Sequence, residues 1–298
     1  MAKLLERMRT LIETLHPDEG HTPTAIAGIG LLHARHVLPQ MPVFSGPSLT
    51  IIVCGQKISY VNEHRLRYGA GEYLMQALPL PFECETPAHH DEPLYAFTIV
   101  LDPMLLSRVL LPLDEIRPPS AIPIATPPIL SGRMSERMQE NAIRLLECLH
   151  DPVLNTIVGQ ARLTELMLDV LQGDHGTLIQ ALLHHQSPFS RLTKALHYLH
   201  EHYAQPISVD VLAQQVNMSV SAFHHHFKRL FYTSPLQYLK QVRLIKAKQM
   251  LRQEHISVSY AAERVGYRSF SQFSREYKRF FGTAPRNERH DYQTLISS

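Results

Sequence analysis

The sequence of 298 residues predicts an α+β protein of two domains, a small β-barrel or sandwich with flanking helices followed by an all-α domain of two helix-turn-helix units. Three observations predict it. Short β-branched runs between Pro and Gly turns fill residues 20–101. One pattern of residues occurs twice between Ser208 and Pro285. The charge is divided, since residues 191–290 carry 16 Lys and Arg against 6 Asp and Glu, and the remainder carries 13 against 21.

Composition limits the class of protein. Hydrophobic residues make up 44% of the chain, which is enough for two cores. The 3 cysteines are widely spaced and form no Cys-x-x-Cys, which favours a reducing compartment and argues against a disulfide framework or a zinc module. Met1–Pro17 predicts an amphipathic helix without the apolar core of a signal peptide. We therefore expect a cytoplasmic protein with no membrane partner.

The strands of the amino-terminal domain are predicted from short apolar runs. Leu49–Val53 and Ile58–Val61 lie on either side of Gly55 and predict a β-hairpin. The near-continuous apolar run Leu94–Leu101 fits a strand of a closed sheet. A Pro-rich stretch, Arg117–Leu130, then leads out of the strands.

Two amphipathic helices follow, predicted at Ser135–Leu149 and Leu154–Leu171. The second has more apolar surface than one side of a helix needs. It either associates with a second copy of the chain, giving a homodimer, or packs on the strands. These elements place one domain at 1–172, a linker at 173–190 and the helical domain at 191–290.

The repeated pattern has an offset of 49 residues at first and of 50 later. One added residue in the turn of the second copy explains the change. The matching residues are Ala213 and Ala262, Val216 and Val265, Ser219 and Ser269, Phe223 and Phe273, Phe227-Lys228-Arg229 and Tyr277-Lys278-Arg279, Phe231 and Phe281, Thr233 and Thr283, and Pro235 and Pro285.

Each copy is predicted to be a helix, a short turn and a second helix. Ser208 and Ser219 are expected to cap the two helices of the first copy. In the second copy Ser257 and Ser259 compete for the first cap, and Ser269 opens the second helix.

Turns and a connecting helix complete the helical domain. Asn217-Met218 and Gly266 are expected in the turns, and Gly282 is expected to end the last helix in a left-handed conformation. Ser234–Leu251 predicts a long helix that holds the two copies apart.

The outer face of the second helix in each copy predicts a nucleic-acid partner. A helix-turn-helix presents its second helix to the major groove, and two units one helical turn apart can read one side of a duplex. The net charge of +10 over residues 191–290 suits a phosphate backbone. The outward residues are Ser221, His224, His225 and Lys228 in the first copy and Ser271, Gln272, Arg275 and Lys278 in the second.

The last hundred residues resemble the DNA-binding domain of AraC/XylS-type transcription regulators. Tyr232 departs from the pattern, because the family usually has Gly there. The residues that carry the resemblance are Leu212-Ala213, Met218-Ser219, Phe223, Phe227-Lys228, Ser234-Pro235, Tyr238-Leu239, Arg243-Leu244, Ala247, Leu251, Ala262, Val265-Gly266-Tyr267, Phe273-Ser274-Arg275, Tyr277-Lys278 and Phe281-Gly282-Thr283-Ala284-Pro285.

The resemblance implies which residues touch DNA bases. Arg275 is the leading candidate, since an Arg can bond guanine N7 and O6 together. Histidines there reach purine N7 or phosphate, and Phe270 either contacts a thymine methyl or packs. The implied base contacts are Ser221, His224, His225, Phe270, Ser271 and Arg275, with Gln272 within reach. Phosphate contacts are expected from Ser219, Lys228, Ser269 and Lys278.

Residues 10–170 resemble the cupin-like amino-terminal domain found with one subgroup of these regulators. The resemblance implies a sensory or oligomerising role without identifying a ligand. It is carried by Pro47-Ser48-Leu49-Thr50-Ile51-Ile52-Val53-Cys54-Gly55-Gln56-Lys57, Tyr68-Gly69-Ala70-Gly71-Glu72-Tyr73-Leu74, Leu78-Pro79-Leu80-Pro81 and Glu92-Pro93-Leu94-Tyr95-Ala96.

Two alternatives remain open at this point. One is a cupin-type metalloenzyme with an appended DNA-binding module, but His64, His89 and His90 fall in predicted turns and form no His-x-His. The run His224-His225-His226 cannot close around one ion, because consecutive helical residues point apart. We therefore expect no enzyme activity, no metal and no cofactor. The other alternative is a constitutive architectural DNA-binding protein.

The favoured interpretation is a bacterial transcription regulator, and the sequence does not decide between an activator and a repressor. Its expected partners are double-stranded promoter DNA, RNA polymerase, a small-molecule effector acting through the amino-terminal domain, and a second copy of the chain. The sequence itself names neither the operator, nor the effector, nor the target genes.

Overall fold

The computed structural model divides the chain into two compact units, Met1–Gln40 with Ser45–Ser190 and Met41–Phe44 with Arg191–Ser298. The residues that the structure describes are 2–61, 64–116, 127–173, 175–176, 188–253 and 256–288. Most of the predicted linker at 173–190 and of the Pro-rich stretch Arg117–Leu130 lies outside them. The predicted domain bounds therefore stay a prediction.

The described part of residues 2–172 has one helix, then nine strands, a second helix, a tenth strand and two further helices. Its helices are α1 Ala2–Leu15, α2 Pro103–Ile116, α3 Glu136–His150 and α4 Pro152–Gln172. Its strands are β1 Gly20–Pro23, β2 Ile29–Ala34, β3 Leu38–Ser45, β4 Ser48–Cys54, β5 Gln56–Val61, β6 His64–Gly69, β7 Glu72–Gln76, β8 Leu80–Thr86, β9 Leu94–Val100 and β10 Ile129–Arg133.

These strands form two sheets, one six-stranded in the order β1-β2-β9-β4-β7-β10 and one four-stranded in the order β3-β8-β5-β6. At the centre of the larger sheet, Ile51 of β4 lies opposite Phe97 of β9 and Tyr73 of β7. All three side chains are buried in one core, which α1, α3 and α4 share through residues such as Met8, Leu146 and Leu166. Hydrogen bonding between the described strands gives two sheets, so of the barrel or sandwich that the sequence predicts, the sheets do not close into a single barrel.

The predicted hairpin about Gly55 is wrong. β4 pairs with β7 and β9 in the larger sheet, whereas β5 pairs with β6 and β8 in the smaller one. Gly55 is the point where the chain passes between the sheets. It has φ +76°, and a Cβ there would lie 2.7 Å from the Pro93 carbonyl oxygen. The runs were placed correctly, but β-propensity does not specify which strand pairs with which.

The helices of this unit were predicted in part. α3 and α4 occupy the two predicted segments, with Ser135 capping α3 and Asp151 capping α4. Helix α2 was not predicted from the sequence, because Pro112 lies inside it and Pro usually marks a helix boundary. Packing overrides this preference, since Leu105, Leu106 and Val109 are buried in the core at helical spacing.

From residue 188 onward, the described part of the chain is helical. Its elements are α5 Pro188–Glu201, α6 Val209–Gln215, α7 Val220–Phe231, α8 Pro235–Gln253, α9 Val258–Arg264, α10 Phe270–Phe281 and a 3₁₀ turn at Pro285–Asn287. The first helix-turn-helix is α6 with α7, and the second is α9 with α10. The predicted connecting helix is α8, which contacts α7, α9 and α10. It therefore joins the two copies.

A buried carboxylate fastens the end of the second copy to α8. Glu288, just after the 3₁₀ turn, is 1% exposed. It accepts from Lys248 Nζ at 3.3 Å and Arg252 Nε at 3.0 Å, both on α8. Two cationic partners satisfy the charge that burial would otherwise penalise.

Candidate nucleic-acid interface

Serine hydroxyls cap both helices of both copies. Ser208 and Ser219 accept from the backbone N–H of the third residue onward, at 3.3 and 3.2 Å. Ser257 and Ser269 do the same in the second copy, at 3.2 and 3.3 Å. The predicted caps are confirmed, and Ser257 rather than Ser259 takes the contested position. Each hydroxyl uses its oxygen for the cap, so its proton is still available to a phosphate.

The turn and the helix end adopt the same left-handed conformation in both copies. In the second copy Gly266 and Gly282 have φ of +86° and +76°. In the first copy the corresponding residues are Asn217 and Tyr232, with φ of +51° and +56°. Tyr232 therefore ends α7 in the same left-handed backbone conformation in which Gly282 ends α10. This conformation costs about 1 kcal/mol for a residue with a Cβ.

An aromatic ladder fixes the inner face of each second helix. The first two rings have centroids 5.5 Å apart in α7 and 5.4 Å apart in α10, and the next two 4.4 and 4.5 Å apart. The close match shows that the two helices are seated alike. The ladders are Phe223, Phe227 and Phe231 in α7, and Phe273, Tyr277 and Phe281 in α10.

The opposite face of each helix is exposed, and it carries every predicted contact residue. Even Phe270, a large aromatic, is 50% exposed, which argues against a packing role for it. The exposed residues are Ser219, Ser221, His224, His225 and Lys228 in the first copy and Ser269, Phe270, Ser271, Gln272, Arg275 and Lys278 in the second. Their individual contacts with bases or phosphates remain predictions.

Two further arginines extend these faces. Arg229 follows Ser221 and His225 at spacings of eight and four residues, and Arg279 follows Ser271 and Arg275 in the same way. Both are exposed. Their spacing is evident from the sequence, but the repeat alone does not indicate a DNA contact for either arginine.

One predicted contact residue already has a side-chain partner. Gln272 donates from Nε2 to Glu276 Oε1 at 3.1 Å. Glu276 also accepts from the Tyr267 hydroxyl at 2.8 Å and from Lys240 Nζ of α8 at 3.3 Å. Burial raises the pKa of the Glu276 carboxyl, but the hydrogen bonds from Tyr267, Gln272 and Lys240 outweigh it, so the pKa lies below its ordinary value.

Two histidines of this unit, His226 and His200, are partly or largely buried. Burial, with His225, Arg229 and Arg191 nearby, lowers the pKa of the half-buried His226. His200 Nε2 lies 2.8 Å from the hydroxyl of Tyr238, beside the first aromatic ladder. Among the residues that the structure describes, no group of three or more His, Cys, Asp or Glu could hold a metal ion.

Two family descriptions match the chain. The AraC-type transcriptional regulator N-terminus matches residues 25–178, and a helix-turn-helix domain matches residues 212–291. The chain belongs to the family of AraC-type transcriptional regulators. The first match covers just over half of the sequence, and the second covers both helix pairs apart from Ser208 and the first three residues of α6. The resemblance and the α+β fold class predicted from the sequence are thereby confirmed.

Curated relatives match about a third of this AraC-type regulator. The HTH-type transcriptional activator RhaS of Escherichia coli is 34% identical over 100 residues, which are 34% of this chain and 36% of RhaS. RhaS of Salmonella schwarzengrund is 31% identical over 107 residues, 36% of this chain and 38% of that protein. The similarity thus spans little more than a third of the length of these relatives.

A solved structure extends the similarity of fold to both units. ToxT of Vibrio cholerae superposes with a TM-score of 0.58 at 9% identity, covering 86% of this chain and 96% of ToxT. At that identity the likeness concerns the fold alone.

The comparisons give the metalloenzyme alternative no support, since the relatives reported above are transcription regulators. Of the histidines that could have served a cupin-type metal site, His64 begins β6, and His89 and His90 lie in the loop between β8 and β9. Within the described ranges, no helix is both long and apolar enough to cross a membrane.

Proposed function

We propose that this AraC-type regulator binds promoter DNA sequence-specifically, with α7 and α10 entering neighbouring major grooves on one side of the duplex. One observation carries the proposal. The chain builds the same capped, aromatic-backed helix twice and exposes a polar, cationic face on each copy. Helices with such faces suit the width of the major groove.

Within this proposal the exposed residues divide into two classes. Arg275 bonds guanine, with Ser271 and Phe270 beside it, and His225 occupies the corresponding place on α7, with Ser221 and His224 beside it. Lys228, Lys278 and the capping hydroxyls of Ser219 and Ser269 contact phosphates and set the register without reading sequence. The six implied base contacts are thus divided equally between the two helices.

A binding selection tests the proposal. The full chain is incubated with duplexes that contain a randomised segment, and the retained molecules are sequenced over several rounds. We expect enrichment of two short elements about 10 base pairs apart, one for each helix. Retention without any enriched sequence would instead support the architectural alternative and contradict the proposal.

We also propose that a small-molecule effector bound by the first unit changes the affinity of the second unit for DNA. The match of residues 25–178 to the regulator N-terminus supports it. ToxT, whose fold is similar, has been solved with an unsaturated fatty acid bound. An effector can act only by binding two states of the protein unequally. DNA affinity that stays constant while a ligand saturates the first unit would contradict this arm.

Self-association through α4 is supported by a specific observation. Val153, Leu154 and Ile157 lie near the start of α4 and are 65%, 45% and 73% exposed. Such side chains in one patch indicate an interaction surface, and we propose a second copy of the chain as its occupant. Ile157→Glu should shift the sedimentation of the full chain from dimer to monomer, whereas Thr156→Glu, on an exposed neighbour outside this apolar set, should not. A wild-type chain that stays monomeric at high micromolar concentration would contradict the dimer.

We further propose that DNA-bound protein contacts RNA polymerase, since the RhaS relatives are activators. Transcription in vitro from a promoter carrying the selected site should rise when the protein is added. An unchanged or lowered yield would reject activation without affecting the DNA-binding proposal.

A further inference from the structure

The second copy contains a side-chain pair that has no counterpart in the first. Gln272 and Glu276 are one helical turn apart on α10, and Gln272 Nε2 donates to Glu276 Oε1 at 3.1 Å. At the corresponding places on α7 stand Ala222 and His226. The pair lies beside Arg275, the residue proposed to bond guanine, because positions three residues apart are neighbours on a helix.

Glu276 is held in place independently of Gln272. Its side chain is 13% exposed, and two other elements fix the carboxylate. The Tyr267 hydroxyl donates to Oε2 at 2.8 Å from the turn of the second copy. Lys240 donates to Oε1 at 3.3 Å from α8. Gln272, by contrast, is exposed. The buried carboxylate is therefore the fixed partner and the amide is the group that it orients.

An ionised carboxylate only accepts hydrogen bonds, so only the NH₂ end of the Gln272 amide can face it. The two otherwise similar orientations of the amide are thereby reduced to one. The amide keeps its carbonyl oxygen as an acceptor and its second N–H as a donor. Adenine presents the complementary pair in the major groove, the N6 amino donor beside the N7 acceptor.

We propose that Glu276 is a positioning residue that presents Gln272 in this single orientation, and that Gln272 thereby selects adenine at the base pair next to the one read by Arg275. The proposal rests on the DNA-binding function proposed above. It also explains why a largely buried carboxylate lies next to a surface that is proposed to contact phosphates, where a negative charge otherwise weakens binding.

The test compares variants of the full chain on the selected duplex and on duplexes with each other base at the proposed pair. Gln272→Ala removes the reading group. Glu276→Gln keeps the size of the side chain but can donate as well as accept, so it permits both amide orientations. Glu263→Gln is the control, because it makes the same chemical change at an exposed carboxylate on α9 and leaves the Gln272 bond intact. Thermal unfolding of each variant establishes that it is folded.

We expect the wild-type chain to prefer adenine by roughly 5- to 100-fold, as a good bidentate contact does. Gln272→Ala should abolish the preference, Glu276→Gln should remove most of it, and Glu263→Gln should keep it. Glu276→Asp, which retains an acceptor-only group, should restore more of the preference than Glu276→Gln does.

Three outcomes would overturn the proposal: an unchanged preference in Gln272→Ala, an unchanged preference in Glu276→Gln, or an equal loss in Glu263→Gln, which would indicate a general effect of removing a carboxylate from this unit. Arg275→Ala separates these failures from failure of the proposed function. If Arg275→Ala loses its guanine preference while Gln272→Ala changes nothing, only the present inference fails. If neither variant alters any base preference, the proposed function fails as well.

Discussion

The two helix-turn-helix copies have the same backbone but differ in what maintains it and in what they expose. Their aromatic ladders agree within 0.1 Å in ring spacing. The left-handed residues are glycines in the second copy, whereas Asn217 and Tyr232 are forced into that conformation in the first. The comparison teaches that packing of the inner face determines the shape of the motif. Glycine lowers its strain but is not required for it.

The exposed faces differ in chemistry. The second copy offers Arg275 and the oriented Gln272, whereas the first offers His225 and Ala222 in their places. Guanidinium and amide groups make bidentate contacts with guanine and adenine, which a single imidazole cannot. We therefore expect the second copy to contribute most of the sequence preference and the first to contribute mainly affinity.

The largest expected effect comes from the turns. Gly266→Ala would place a Cβ 2.3 Å from the carbonyl oxygen of Ala204, in a conformation with φ +86°. We expect the free energy of unfolding to fall by about 3 kcal/mol or more, since strain and a backbone clash add. Asn217→Ala, at the corresponding position, should cost about 1 kcal/mol, because that site already accommodates a side chain. Urea unfolding of the full chain measures both losses. Equal losses would contradict the proposed difference between the two turns.

Substitution of the exposed residues should affect DNA binding differently in the two copies. Arg275→Ala is expected to cost about 1–3 kcal/mol on the selected duplex and to relax the preference at one base pair. His225→Ala should cost less and change sequence preference little. Lys228→Ala should weaken binding to all duplexes alike and reduce the slope of log affinity against log salt by about 1. Equal losses for Arg275→Ala on selected and random DNA would refute its assigned role.

The copies should also differ in their response to acid. Burial, with Lys246 and His197 adding to it, lowers the pKa of His200 beside the first copy to about 4. The unfolded chain binds that proton near pH 6.5, so between pH 6.5 and 4 the unfolded state holds more protons and the free energy of unfolding falls as the pH falls. We expect a loss of about 2 kcal/mol over this range.

Glu276 in the second copy has a pKa below its ordinary value of 4.5, so its contribution is retained above that pH and is lost only in stronger acid. Urea unfolding at pH 7 and pH 4.5 measures the first effect, and His200→Gln should reduce the loss. A stability that is flat over this range in the wild-type chain would contradict the assignment of a buried neutral His200.

The smallest effect concerns the helix ends. Tyr232→Gly should raise the free energy of unfolding by about 0.5–1 kcal/mol, because it relieves the strain at φ +56° in a side chain that is 42% exposed. The reverse change, Gly282→Ala, introduces strain at φ +76° without a clash and should lower it by about 1 kcal/mol. Shifts of the same sign in both variants would show that the two ends are not equivalent.

Local chemistry made much of the helical unit predictable. Each capping serine accepts a hydrogen bond from a backbone N–H three residues onward. Its role can therefore be predicted from the sequence that directly follows it. Only the choice between Ser257 and Ser259 needed the structure. The Gly55 crossing and the helix containing Pro112 were not predictable, because both depend on partners distant in the sequence. Glu276 was also missed, since its importance arises from Tyr267 and Lys240, which only the fold brings to it.

Protection of guanine N7 from methylation, on the duplex selected by the full chain, tests most directly whether both copies enter the major groove. We predict two protected segments about 10 base pairs apart on one side of the duplex, with Arg275→Ala removing protection at a single guanine of one segment. Protection of one segment only, or protection spread evenly along the duplex, would contradict the account.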